Sequence, residues 1–392
     1  MILTNARPER YLFALLIGAT PLLSQAEVLF EENFDNQPDW TITMYNADNP
    51  ILRSRGDVVP DNWDGAYNGS VWTTEEHAPQ NHSSHEILAS NADKARGGSG
   101  KSIVHYRHSW TLESGRVKWN SDSQLIKAPI DPDNPEGTEE LYVEFWIRFS
   151  ENWFYRGTPS GEYPGGWMSK IFRAASWTPG EDKNMVSGGA RDLGPMFYWD
   201  YRADKFGVRN KTSFRGGPPA NAAGTDNYKV PSVEDAFGES GNFNALDIAG
   251  EGIDGTDPQL KNQVDGTLLA DTEDLVSHEM LFGPPQHWTK VAFYLKMNSA
   301  PGVPDGVFSQ FINGHRIKHI DNIPWVETNE QNMMVKWNHF SIGGNDYFAP
   351  KANDERFEDW YAIDDIVVMS HLPESLQQVQ YKPNPPSEIR VD

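Results

Sequence analysis

Basic, phenolic and imidazole side chains recur on the polar faces of several separate strand-like runs. Residues 141–149 (LYVEFWIRF) set Trp146 and Arg148 opposite Val143, Phe145, Ile147 and Phe149, because successive side chains of a strand leave opposite faces. By the same alternation 167–173 (WMSKIFR) offers Lys170, 195–202 (PMFYWDYR) offers Tyr198 and Arg202, and 337–345 (WNHFSIGGN) offers His339. The run 288–318 is the most regular. Its apolar face carries Val291, Phe293, Leu295 and Met297, its polar face carries Tyr294 and Lys296, and Gln310 follows in its second arm. Laid side by side, these polar faces form one platform of cations, rings and proton-transfer groups. Guanidinium grips a carboxylate through two parallel hydrogen bonds, and flat rings stack on sugar faces. The set suits a sugar chain bearing carboxylates, bound on a locally basic face that holds Arg148, Lys170, Arg202 and Lys296 together. The bland alternative is that Tyr294 and Lys296 decorate a solvated sheet.

Other chemistries find less support. A sandwich glycoside hydrolase needs two carboxylates about 5.5 Å apart on one strand face. The nearest pair, Asp364 and Asp365, is adjacent in sequence and so points to opposite sides of a strand. The chain has no nucleophile elbow, no Gly-rich phosphate loop and no zinc motif. His77, His82 and His85 match no closed metal-ligand spacing and read as part of a solvated loop spanning 46–100. The formal net charge of -23 argues against nucleic acid as a partner, since phosphate binding needs a basic footprint.

The elements that must hold such a platform are β-strands. Trp 14, Tyr 14, Phe 19, Gly 33 and Pro 27 in 392 residues, without sustained helical periodicity, favour strands joined by turns and long loops. The alternating runs predict an all-β fold, a two-sheet antiparallel β-jelly-roll sandwich, whose concave face commonly holds an extended ligand. Asn313-Gly314 marks a tight hairpin turn. Residues 1–26 read as a secretory signal, with Arg7 and Arg10 ahead of an apolar run and Ser24-Gln25-Ala26 at the cleavage position. One domain then covers 27–370, with a loop-rich insertion at 213–285 and a Pro- and Gln-rich tail at 371–392. With Cys 0 there is no disulfide and no thiol chemistry. The reading is a bacterial protein exported to periplasm or medium, with no membrane contact after signal cleavage, and monomeric.

The order LYVEFWIRF, GGWMSKIFR, PMFYWDYR, HWTKVAFYLKMN, GVFSQFINGHRI and HFSIGGN resembles that of secreted jelly-roll polysaccharide lyases with a concanavalin A-like sandwich, the alginate and glucuronan lyases above all. The likeness covers about 27–369, departs at the long insertion, and lacks the Tyr-Lys-Ala-Gly run of some alginate lyases. It implies β-elimination at a uronic acid. A cation or amide neutralises the carboxylate, a base removes the neighbouring proton, and an acid protonates the leaving oxygen. On that reading Arg148, Lys170, Arg202 and Gln310 serve the carboxylate, with Trp146 as a stacking surface. Tyr294, Tyr198 and His339 are the acid and base candidates, and Tyr294 with Lys296 is the leading pair. The terminal strands also resemble the region of laminarinase-like and related sandwiches that holds a structural Ca²⁺, which implies a site through Glu32 and Asp365, the alternative being an acidic, solvated edge; no organic cofactor is expected. A non-catalytic carbohydrate-binding or adhesion protein, or a glycoside hydrolase on the same sandwich, are the alternatives.

Overall fold

A computed structural model describes residues 26–44, 58–68, 83–108, 121–151, 153, 167–179, 183, 195–204, 207–215, 243–245, 262–267, 277–326, 328–329, 331–347 and 358–377. Its strands are β1 (Val28–Glu32), β2 (Trp40–Thr41), β3 (Gly65–Asn68), β4 (His85–Ile87), β5 (Ile103–His108), β6 (Ser121–Lys127), β7 (Glu140–Phe149) and β8 (Trp167–Ala175). They continue as β9 (Met196–Asp204), β10 (Gly207–Arg215), β11 (Phe243–Ala245), β12 (Thr289–Lys296), β13 (Gly306–Ile312), β14 (His315–Ile323), β15 (His339–Tyr347) and β16 (Glu358–Met369). Two short α-helices are described, α1 (His278–Phe282) and α2 (Glu374–Gln377).

The strands form two antiparallel sheets, the sandwich that the alternation predicts. One has nine strands in the order β14-β13-β12-β7-β16-β5-β4-β2, with β1 added on β16. The other has seven, in the order β11-β10-β9-β8-β15-β6-β3. An aromatic layer joins them. Phe293 of the first sheet stacks on Phe172 of the second at 5.2 Å and meets Phe197 at 4.9 Å. Phe145, Ile147, Trp199, Phe308 and Phe340 belong to the same buried cluster. Each buried ring of this kind contributes about 2–3 kcal/mol by burial alone, so the inward set of every strand is firmly specified.

The run 288–318 enters two hairpins. β12 pairs β13 across a long connection, and Asn313 (φ 48) and Gly314 (φ 81) then turn β13 into β14, with Ile312 facing His315. Those positive φ values are what Asn-Gly supplies at little cost. The loop reading of 46–100 is corrected in two places, since β3 and β4 lie within it. His85 sits on β4 and is fully enclosed, not solvated, because β4 joins the sheet beside β5. His77 and His82 lie outside the described residues. So do residues 1–25, most of the 213–285 insertion and the tail beyond Gln377. The described parts of the insertion are not bare loop. β11 extends the seven-stranded sheet, and α1 sends Leu281 and Phe282 into the core.

Candidate functional site

The single shared platform is corrected by the sheet assignment. Trp146, Arg148, Tyr294 and Lys296 lie on β7 and β12, opposite the core residues of the nine-stranded sheet. Lys170, Tyr198 and His339 belong to β8, β9 and β15 of the other sheet. Opposite outer faces of a sandwich cannot grip one sugar. Arg202 lies on β9 in register with Met168 and Arg209, and its side chain is outside the described residues. Gln310 is not on an outer face at all. It pairs with the core residue Phe293 and is fully buried between the sheets.

On the nine-stranded side the polar groups are engaged structurally. The Arg96 guanidinium lies 4.1 Å over the Trp146 ring, and Arg148 donates to the Asp93 carbonyl (2.8 Å) and to Gln286 Oε1 (2.6 Å). Tyr294 donates to Glu140 Oε2 at 2.8 Å, and Lys296 lies 3.3 Å from Glu140 Oε1. Burial, then the Glu140 carboxylate, pushes the Tyr294 phenol well above its ordinary range, the reverse of what a phenolate base needs. Nearby, Leu372 and Leu376 at α2 pack on Tyr142, Ala292 and Phe311. Tyr294 and Lys296 are thus both held to Glu140 of the neighbouring strand β7.

The outer face of the seven-stranded sheet is different. Cross-strand register lines up Ile126 of β6, Ser341 of β15, Arg173 of β8 and Tyr198 of β9 in one row, where facing Cβ atoms are about 5 Å apart. Arg173 and Lys170 flank the Tyr198 ring, at 5.6 and 5.8 Å from its centroid. Arg173 Nη1 donates to the Gly343 carbonyl at 3.0 Å. Ser341 Oγ donates to Gln124 Oε1 at 2.9 Å, and among the described residues Gln124 Nε2 has no partner. His339 Nε2 donates to the Lys183 carbonyl at 3.0 Å, which leaves Nδ1 as the lone-pair nitrogen, again without a partner among the described residues. Burial holds the His339 imidazole down to about 4, the Lys183 carbonyl opposing and the Arg173 charge adding. It is neutral at physiological pH, with Nδ1 as its acceptor, and a weaker base than a water-exposed imidazole. Gln124, His339 and Ser341 are fully buried and Arg173 nearly so, so charge on this floor is weakly screened.

Two of these residues escape strict alternation. Counting by twos from Lys170 puts Arg173 on the far side, but a bulge between Lys170 and Phe172 inserts one residue and resets the faces. Gln124 lies on β6, whose sequence SDSQLIK carries little apolar alternation. The signal that does exist for Arg173 is chemical, a second cation three residues after Lys170.

Glu32 and Asp365 fit a calcium ion poorly. Both Glu32 oxygens already accept: Oε1 from Phe34 N (2.6 Å), Oε2 from Gln37 Nε2 and from Trp63 Nε1 (3.3 Å). Asp365 is ion-paired to Arg96. A cavity of about 480 Å³ lies between them, and among the described residues no group of three His, Asp or Glu side chains is placed to hold a metal ion.

No family model matches the chain, and no curated protein matches it. Solved structures similar to it include a variant of alginate lyase Aly36B in complex with alginate trisaccharide, at 12% identity and a TM-score of 0.39 over 88% of this chain and 97% of that one. An endo-β-1,4-glucuronan lyase from the fungus Trichoderma reesei is similar at 13% identity and a TM-score of 0.39, covering 79% and 91%. The binding domain of botulinum neurotoxin DC with SialylT is similar at 10% identity and 0.29, over 71% of this chain and 43% of that one.

Proposed function

We propose that this chain is a polysaccharide lyase acting by β-elimination on a uronic-acid-containing polymer, with its site on the outer face of the seven-stranded sheet. One observation carries the reading. On a protein of net charge -23, two cations, a phenol, an amide and a neutral imidazole share one sheet face. Arg173, with the Gln124 amide, neutralises the sugar carboxylate and so acidifies the adjacent C5–H. His339 Nδ1 takes that proton, the electron pair forms the C4=C5 double bond, and the C4–O4 bond breaks. Tyr198 gives its hydroxyl proton to the departing O4, and Lys170 compensates the negative charge left on the phenol. His339 and Tyr198 stand two strands apart and two residues out of register, roughly 12 Å, which leaves space for a sugar ring between base and acid.

The same reading makes residues 1–26 an export signal and the protein secreted or periplasmic. The direct test is incubation with alginate and with polyglucuronate, following ultraviolet absorbance of the unsaturated product. A rise in absorbance that is lost in Arg173→Ala supports the proposal. New reducing ends without absorbance indicate hydrolysis and overturn it. Binding without either signal also overturns it, in favour of a carbohydrate-binding protein.

A further inference from the structure

Between Ile342 and Asp346 the pairing of β15 with β8 slips, and the slip is built from Gly343 (φ 86) and Gly344 (φ 156). Both glycines are required by what approaches them. A Cβ on Gly343 would run into the His85 ring and lie 2.5 Å from the Ser123 carbonyl oxygen. A Cβ on Gly344 would lie 2.6 Å from Arg173 Nη2 and 2.7 Å from the Lys170 carbonyl oxygen. The bared backbone is thus pressed by an imidazole on one side and by a guanidinium on the other. The Gly343 carbonyl is also the acceptor for Arg173 Nη1 at 3.0 Å.

His85 is itself fixed from behind. Its Nε2 is 2.8 Å from His105 Nδ1, and the His105 ring stacks on Tyr361 at 4.6 Å. Burial and then His105 hold the His85 imidazole well below its usual range, so the wedge carries no charge that would repel Arg173. A guanidinium offers a carboxylate two parallel donors only when its plane is set. Here Nη1 is tied to the Gly343 carbonyl, and the Tyr198 ring centroid lies 5.6 Å from Cζ.

We infer that the Gly343–Gly344 bulge, wedged from the interior by His85, is the positioning element that orients Arg173 for bidentate recognition of a carboxylate. What Arg173 recognises rests on the lyase reading above, whereas its orientation does not. His85, Gly343 and Gly344 are positioning residues, acting through Arg173.

The test is a double-mutant cycle with an activity-independent arm. Gly344→Ala is made alone and on Arg173→Lys, and kcat/KM on alginate and polyglucuronate is measured. Misplacing the guanidinium lowers kcat/KM by about tenfold or more, in kcat as well as in KM. On the lysine background, where no planar fork remains to be misplaced, the same change costs less than about twofold. In parallel, phenylglyoxal labelling of Arg173 is followed by mass spectrometry in the full chain. Labelling is faster in Gly344→Ala, and also in His85→Ala, which removes the wedge without adding a Cβ. Equal losses on both backgrounds, or Arg173 labelling unchanged in both variants, overturn the inference. If the wild type opens neither polymer, the lyase reading falls alone. The labelling arm then decides the inference, faster labelling supporting it and unchanged labelling overturning it.

Discussion

His339 provides the sharpest test of the proposed chemistry, because its environment separates it from an ordinary histidine by a large factor. It is fully buried, donates to the Lys183 carbonyl, and is held down to about 4. At about pH 5 an imidazole titrating near 4 is ~90% unprotonated, whereas one titrating near 6.5 is only ~3% unprotonated. As general base, a water-exposed histidine would therefore lose about 30-fold in kcat/KM between neutrality and pH 5, and this one about a tenth. The assay is the initial rate of unsaturated-product formation at low substrate and fixed ionic strength, so that kcat/KM reports the free enzyme. Wild type keeps its rate to about pH 5 and declines near pH 4. His339→Gln loses roughly 10²–10⁴-fold at neutrality and shows no decline there. An acid limb near 6.5 would mean that the imidazole is open to water. Full turnover by His339→Gln would remove it from the mechanism.

The same shift fixes a sign for stability. The unfolded chain binds a proton at His339 below about pH 6.5, while the folded protein refuses it until about 4. Stability present above the unfolded value is therefore lost as pH falls through that window, by about 3 kcal/mol in all. Urea midpoints across this range fall less steeply in His339→Gln than in wild type. Parallel slopes would refute the burial argument independently of any activity.

Three further outcomes follow from named contacts. Tyr198→Phe lowers turnover by about 10²–10⁴-fold with little change in melting temperature, whereas Tyr294→Phe leaves turnover near wild type; the reverse ranking would return the site to the nine-stranded sheet. Asp364, pushed up to about 7 first by burial, holds a proton in the folded state that the unfolded chain has released. Its contribution to stability falls as pH rises from about 4 to 7, so Asp364→Asn gains stability with pH more steeply than wild type in urea melts; an unchanged slope would contradict this. Glu32→Gln frees one of the three donors that meet its carboxylate, at a cost of about 1–3 kcal/mol. The loss of melting temperature is the same with and without EDTA, and a loss confined to the metal-replete protein would show that Glu32 holds calcium after all.

Local pattern was enough to find the strands and their inward sides. Val143, Phe145, Ile147 and Phe149, and likewise Val291, Phe293 and Leu295, point inward because period-two alternation is a property of one strand alone. Asn313-Gly314 was equally legible, since the turn depends on its own two residues. Tyr198, Lys170 and His339 were legible as chemistry-bearing groups, though not as a set apart from Tyr294 and Lys296. Alternation says which side of a strand a residue takes, not which sheet the strand joins. That is decided by long-range pairing, which sends β7 and β12 to one layer and β8, β9 and β15 to the other. Arg173 depended on a single extra residue in β8, a bulge fixed by the register of its neighbours. His85 depended on a three-residue strand too short to show a period. The sequence supplied the side chains and their local sides, and only the packing of two sheets decided which of them share a face.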